Sequence, residues 1–478
     1  MSTKGINDEA KNVMKKILNE KVKFYLDKDN STVIKVEYQD NIGAYRFESP
    51  DSIYFRAALN VLYRQETGED EIPDFSGLLK SLCDDTIYNQ RNLVPINHRV
   101  AGSIAKGRIA LYLADKYRQI GVITSDGWKI YRRAKEKFIQ RTSEMAQVKP
   151  VPGGDLLTLL RPYINLNDDD FLLLVIWIVQ AFSRKSSHYA LVISSPKGTG
   201  KSTLTKLLRS LIDPSHSDAC LTSSSANDLK NLLANTFMAC FDNTAKLSEN
   251  FSNILCAAIT GTKEAKRKLY SDCDQIILNL HNLVVLNGID IIPEKSDLAE
   301  RCLLFELQKI APEKRMTDND FWSAFQRDTP AILGAIFDTI QKAMQILPNL
   351  KPEKSPRMAD AYKEMFAIAL ALGISEEEFQ RIFYQNTQAL QEACAGNTGF
   401  VDAVSQYVKN HGKQTGKVTD VYEKMCMDIP DGAEILTSSA SWFSRKLRDG
   451  VAELMASGVQ FYIDPKSDGN HITIGPIR

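Results

Sequence analysis

Residues 190–212 read ALVISSPKGTGKSTLTKLLRSLI. An apolar run at 190–193 leads into a loop at 195–200. Lys201 and Ser202 then open an amphipathic run with apolar positions at Leu204, Leu207, Leu208 and Leu211. That order predicts strand, tight loop and helix, the arrangement in which backbone N–H groups wrap an anion at a helix N-terminus. Gly198 and Gly200 tolerate positive φ and leave room for a phosphate against the backbone. Lys201 is placed to reach phosphate oxygens, and the Ser202 hydroxyl is a ligand for Mg²⁺. The expected contacts with a nucleoside triphosphate are therefore Ser195, Pro196, Lys197, Gly198, Thr199, Gly200, Lys201, Ser202 and Thr203. Ser195 stands where the usual pattern opens with glycine, and its side chain is small enough for such a loop.

Three further stretches have matching chemistry. The apolar segment 236–243, TFMACFDN, runs into Asp242, and a buried strand ending in a carboxylate beside a phosphate loop can hold Mg²⁺ through water. Asn243 follows where a second acid is common. An amide orients water but takes no proton, so the general base stays unassigned. A second apolar strand, LVVLN at 283–287, ends in Asn287, which is suited to positioning water or sensing the γ-phosphate. Arg301 comes just before the apolar run 302–307. It reads either as an exposed finger reaching a neighbouring subunit's site or as a surface ion pair with Asp297 or Glu300.

These residues need elements to hold them. The 478-residue length suggests two to four domains. Composition is that of a soluble globular protein, 44% hydrophobic and 25% charged, and the formal net charge is zero, so any nucleic-acid site must be a local patch. Eight scattered cysteines show no CxxC pairing and read as reduced thiols. The polar N-terminus lacks a signal-peptide core, and the apolar run 171–182 is too short to span a bilayer. The expectation is a cytoplasmic protein without membrane contact, with 171–182 a buried helix capped by Asn167 or Asp168. Residues 8–28 read as a charged amphipathic helix. Strands are expected at 32–37, 44–48, 108–113, 119–123 and 128–131, and a helix at 55–64. Pro/Gly-rich junctions at 148–154 and 347–356 divide the chain into an N-terminal α/β module (1–147), a nucleotide domain (148–350), a helical extension (351–395) and a last unit (396–478).

The phosphate loop, the acidic strand, Asn287 and Arg301 at this spacing resemble an AAA+ ATPase of the superfamily 3 helicase type. Several stretches resemble, more closely, the ATPases of phages and bacterial mobile elements often labelled primase or helicase. They are CFDNTAKLSENFSNILCAAITGTKEAKRKLY (240–270), VVLNGID (284–290), DLAERCLLFEL (297–307) and PRMADAY (356–362). The resemblance runs from about residue 100 to the end and is strongest over 150–370. It implies an α/β fold with a three-layer P-loop core, ATP and Mg²⁺ as cofactors, and a homo-oligomeric, usually hexameric, ring with sites at subunit junctions. It also implies single- or double-stranded DNA as partner, alongside a primase or other replication protein. Lys201, Asp242, Asn243, Asn287 and Arg301 are then the catalytic set.

In such rings a hairpin before the sensor strand grips DNA in the pore. By that resemblance Lys263, Lys266, Arg267 and Lys268 are pore candidates, on a hairpin of 266–270 and 276–280. The alternatives are a solvated basic face or an Arg267 contact with the neighbour's nucleotide. The last unit reads as helices at 400–410, 417–425 and 438–455 followed by a hairpin, which is winged-helix order. SSASWFSRKLR (438–448) resembles the same unit at the end of the mobile-element ATPases, and Arg445, Lys446 and Arg448 on the third helix suit DNA docking, with protein docking the alternative. The expected function is an ATP-dependent DNA helicase or translocase of a phage, satellite or integrated element. The alternative is an ATP-controlled oligomerising switch that moves no strand.

Overall fold

A computed structural model describes residues 8–477 apart from 29–32, 70–72, 91, 142, 185–186, 197, 218–224, 245–246, 268–274, 289–295, 311–314, 353–354, 395–397, 430–431, 437–438 and 467–468. The chain is mixed α/β. The first helix is shorter than its charge pattern suggests. Helix α1 (Asp8–Lys21) gives way to strand β1 (Val22–Asp27), because VKFYLD alternates and is rich in β-formers. Strands β2 (Ile34–Gln39) and β3 (Tyr45–Glu48) continue antiparallel, and helices α2 (Ile53–Thr67) and α3 (Ser76–Tyr88) cover the sheet. Strand β4 (Leu93–Val94) joins β1 in parallel. Met14, Ile17, Val36, Tyr38, Phe55 and Tyr63 belong to a separate small core here.

Strand β5 (Ile96–Asn97) precedes an antiparallel meander of β6 (Val100–Ser103), β7 (Arg108–Tyr112), β8 (Ile120–Thr124) and β9 (Gly127–Tyr131), and β10 (Lys137–Phe138) pairs back with β5. The meander does not share the N-terminal core. Val100, Ile109, Leu111 and Ile123 join the large central core, which therefore begins well before residue 148. The 148–154 junction is also fastened. Val151 N–H donates to the Pro330 carbonyl at 2.8 Å. The Val151 carbonyl lies so close to Gly334 that a Cβ there would sit 1.7 Å from it.

The central unit opens with α4 (Leu156–Leu160) and the buried α5 (Asp168–Gln180), which Asn167 caps by accepting from Asp170 N–H at 2.8 Å. Then come β11 (Ala190–Ser194), α6 (Lys201–Ile212), α7 (Ala226–Ala234), β12 (Met238–Phe241) and α8 (Glu249–Thr260). The hairpin β13 (Thr262–Arg267) and β14 (Gln275–Leu280) follows, then β15 (Leu283–Gly288), α9 (Ser296–Ala299) and β16 (Cys302–Phe305). A parallel sheet in the order β12–β15–β11–β16 forms the centre, and its strands are buried throughout, as crossover helices on both faces require. Helices α10 (Asp318–Ile346), α11 (Ala359–Ala371) and α12 (Glu376–Cys394) pack on this body. Asn386 of α12 closes the outer edge of β16 by exchanging both amide bonds with Leu304, accepting at 3.0 Å and donating at 2.6 Å.

The last unit has its own core and the order α13 (Thr398–His411), β17 (Gln414–Lys417), α14 (Val418–Asp428), α15 (Gly432–Leu436), α16 (Ala440–Asp449), α17 (Val451–Ala456), β18 (Val459–Lys466) and β19 (Gly469–Pro476). Its three strands pair in the order β17–β19–β18. The single helix expected over 438–455 is two, divided at Gly450. Among the described residues no helix is long and apolar enough to cross a membrane.

Candidate functional site

The loop after β11 lies at the C-terminal edge of the parallel sheet, the position where open α/β sheets bind ligands. Gly198 and Gly200 have φ of +80° and +92°, so both use backbone that L side chains rarely adopt. Gly200 ends the loop and α6 begins at Lys201, so its first N–H groups and positive dipole end face the loop. Ser195 earns its place where glycine is usual: its buried hydroxyl lies 2.7 Å from that of Thr199 and ties the loop across its neck. Lys201 Nζ donates to the carbonyls of Ser195 and, at 2.8 Å, Pro196, which holds the ammonium over the loop. Thr203 lies on the first turn of α6, and Lys197 lies outside the described residues.

Asp242 directly follows β12, and its carboxylate accepts from the Ser202 hydroxyl at 3.2 Å and 3.4 Å. Both side chains are exposed to solvent at the mouth of the loop. A hydroxyl beside a carboxylate is a hard oxygen donor pair of the kind Mg²⁺ prefers. Among the described residues no group of three His, Cys, Asp or Glu could hold a metal.

Asn243 takes a left-handed φ of +52°, a conformation asparagine tolerates better than most residues. The turn is held from β15. Asn243 N–H donates to Asn287 Oδ1 at 3.0 Å, and Thr244 N–H donates to the Asn287 carbonyl at 2.8 Å. The other end of the Asn287 amide donates to Thr205 Oγ1 at 2.8 Å, and Thr205 lies one turn into α6. Only 1% exposed, Asn287 thus cross-links the helix that follows the glycine loop to the turn bearing Asp242 and Asn243.

Arg301 is not exposed as expected. It is 8% exposed and bonded to Asp297, with a 2.7 Å ion pair, at the N-terminal end of β16 and so at the opposite edge of the sheet from the loop. Arg357 from the PRMADAY segment is the accessible guanidinium there. It is half exposed and pairs with Asp297 at 2.7 Å and Glu300 at 2.8 Å.

The hairpin lies nearer its preceding helix than expected, because α8 ends at Gly261 and β13 starts at once. Alternation divides the basic residues between two faces. Lys266 donates to Asn231 of α7 at 3.1 Å, and on the same face Glu264 pairs with Lys230. Lys263 and the backbone position of Arg267 belong to the other face, opposite Asn279 and Gln275. Lys268 and the tip lie outside the described residues.

The DNA assignments on α16 need correction. Arg445 is 5% exposed and Lys446 7%, leaving Arg448 as the exposed member of the three. Lys446 lies over the Phe400 ring inside its own unit. Arg445 points into the central body, donating to Ser194 Oγ at 3.0 Å and Glu306 Oε1 at 2.9 Å. The helix face that looked free in sequence is covered by packing of the two units.

Sequence reasoning also missed a buried charge cluster at the far end of α6. Asp213, wholly buried, accepts from Arg99 Nε at 3.1 Å and Arg141 Nη1 at 3.0 Å, so residues before 148 fasten the loop helix. Burial opposes ionisation of Asp213, but Arg141, Arg99 and Arg209 overcome it and hold its carboxyl well below the usual range. Burial raises Asp170, at the start of α5, to about 6 against its bonds from Asn167 and Asn386, with Glu306 adding like charge.

Residues 156–376 match the family model of the actinomycete integrative conjugative element replication protein. The matched span contains the whole parallel sheet, the glycine loop at 195–200, Asp242, Asn287, Arg301 and Arg357, and it stops before the C-terminal unit. No curated protein matches the chain. Among solved structures, the chain is similar to the A-form apo structure of the NrS-1 C-terminal region, at 12% identity and a TM-score of 0.42 over 97% of this chain and 98% of that one. A second apo structure of that region gives 12% identity and a TM-score of 0.41 over 99% of this chain and all of the other.

Proposed function

We propose that this chain is an ATP-dependent DNA helicase or translocase of a phage, satellite or integrated mobile element, acting in replication as an oligomeric ring. In this reading the central unit is a P-loop AAA+ ATPase and the C-terminal unit a winged helix. The observation that carries it is the meeting of Lys201, Ser202 and Asp242 at the carboxyl edge of a buried parallel sheet, within a span that matches a replication-protein family.

The residues present fit MgATP. Ser202 and Asp242 would hold the metal, and the N–H groups at Gly198–Lys201 with the Lys201 ammonium would hold phosphate oxygens. Bound MgATP supplies the anhydride to be cleaved and a divalent charge that offsets the charge on the departing phosphate. The protein's part is positioning. Lys201 is held over the loop, Asp242 orients the Ser202 hydroxyl, and Asn287 fixes the Asn243 turn, where an amide can orient water but not remove its proton. Arg357, the accessible guanidinium, would complete a neighbour's site, with Arg301 behind it holding the Asp297 that both share.

The switch reading has its own support: Lys266, Arg445 and Lys446 are engaged within the chain. Steady-state ATP hydrolysis with and without single-stranded DNA, alongside particle mass, separates the two. The motor requires several-fold stimulation on ring-sized particles, with activity abolished by Lys201→Ala. Hydrolysis indifferent to DNA favours the switch, and hydrolysis that survives Lys201→Ala rejects the site itself.

A further inference from the structure

Two parallel strands, β11 and β16, lie side by side and end at the edge that carries the phosphate loop. Ser194 is the last residue of β11, one position before the loop, and Glu306 directly follows β16. A single guanidinium from outside the central unit bridges both. Arg445 donates through Nη2 to Ser194 Oγ and through Nη1 to Glu306 Oε1. Its position is fixed from behind, since its guanidinium lies 5.0 Å from the centre of the Trp442 ring, and Trp442 is itself buried in the central core rather than the C-terminal one. Ser194 is wholly buried, so its bond is made inside the protein, where charge-assisted hydrogen bonds are strongest, while the Glu306 carboxylate is partly open to solvent.

We propose that Arg445 is a positioning residue for the nucleotide site, a clasp through which the C-terminal unit sets the stem of the phosphate loop, so that nucleotide affinity depends on docking of α16. The inference rests on the nucleotide reading above and adds its regulation. A guanidinium suits the task because its planar fork reaches two acceptors at once, which a lysine cannot do in the same geometry. The loop begins one residue beyond Ser194, and Lys201 closes back on the Ser195 and Pro196 carbonyls. A stem that shifts therefore moves the carbonyls that hold the ammonium. Coupling of this kind is reciprocal: if docked α16 favours nucleotide, bound nucleotide must favour docked α16 by the same factor.

The test titrates a fluorescent ATP analogue with Mg²⁺ into the full chain and follows hydrogen exchange of residues 440–449 with and without MgATP. Arg445→Ala should weaken binding about tenfold, the equivalent of about 1.4 kcal/mol, within the range for hydrogen bonds to a charged group. Ser194→Ala, which removes one acceptor and keeps the ion pair with Glu306, should weaken it about threefold, and Arg445→Lys should fall with Arg445→Ala. In the wild type, MgATP should slow exchange across α16, and in Arg445→Ala that protection should vanish. Loss of fold alone would lower the bound fraction without changing Kd, and it would leave nucleotide protection in the molecules that bind. Wild-type affinity in Arg445→Ala and Ser194→Ala, with binding lost in Lys201→Ala, overturns the clasp and leaves the nucleotide site standing. Absence of nucleotide binding by the wild type overturns both.

Discussion

Asn287 makes a quantitative claim about how the site is built. Its amide nitrogen donates to Thr205 on α6 and its oxygen accepts from Asn243 N–H, so both ends are used in a site that solvent barely reaches. Asn287→Ala removes two neutral hydrogen bonds, at about 1 kcal/mol net each, and adds the cost of a small buried void, for a total of about 2–3 kcal/mol. Thr205→Val keeps the volume but leaves the buried Asn287 donor without its acceptor, at about 1–3 kcal/mol. In the double variant the second change costs less, because the bond between the two side chains is already gone. The coupling energy should be about 1 kcal/mol. Urea unfolding of the two single variants, the double variant and the wild type measures it. The same four proteins titrated with MgATP should show weakened affinity in both single variants, since either one frees the Asp242 turn from the loop helix. A coupling below about 0.3 kcal/mol, the range expected of independent sites, would refute the cross-link and return Asn287 to a purely nucleotide-facing role.

Three other substitutions probe the frame around the site. Asp213→Asn removes the nearest counter-charge of the buried Arg99 and Arg141, leaving Glu144 at 3.7 Å and 3.9 Å to face them, and should cost about 3 kcal/mol in unfolding free energy at pH 7. Because its folded pKa lies below its unfolded one, the wild-type contribution is fully present above about pH 4 and is lost as pH falls further, which unfolding curves at stepped pH would show. Burial, then neighbouring His281, pushes His188 down to about 3, so His188 stays neutral in the fold. Its contribution is whole above the unfolded value near 6.5 and falls as pH drops below it. From pH 7.5 to 5.5 the wild type should therefore lose about 1 kcal/mol more than His188→Gln, and equal losses would contradict the assignment. Gly334→Ala drives a methyl into the Val151 carbonyl and should destabilise by about 1–3 kcal/mol, with faster proteolysis over 148–154. Unchanged proteolysis would show that the segment is not strapped to α10.

What the sequence determined is local in the chain. Strand, glycine loop and helix at 190–212 are written in consecutive residues. So are the Asn167 cap, the acidic end of β12 and the closing hairpin of the last unit, because periodicity, capping and turn chemistry act over a few positions. The rest of that unit was legible only coarsely, without β17, α15 or the break at Gly450. The boundary between α1 and β1 was not legible, since a charged helical pattern ran on into an alternating one. Tertiary structure alone decided which charges face water. Arg445 and Lys446 read as a basic helix face until packing turned Arg445 onto Ser194, 251 residues away, and Lys446 onto Phe400. Arg301 read as exposed until the body closed over it, and Asp213 was one of many acids until Arg99, 114 residues distant, came to its side. A guanidinium's role depends on whether burial strips its water and which acceptor replaces it. That is a property of three-dimensional neighbours, which residue type and spacing do not encode.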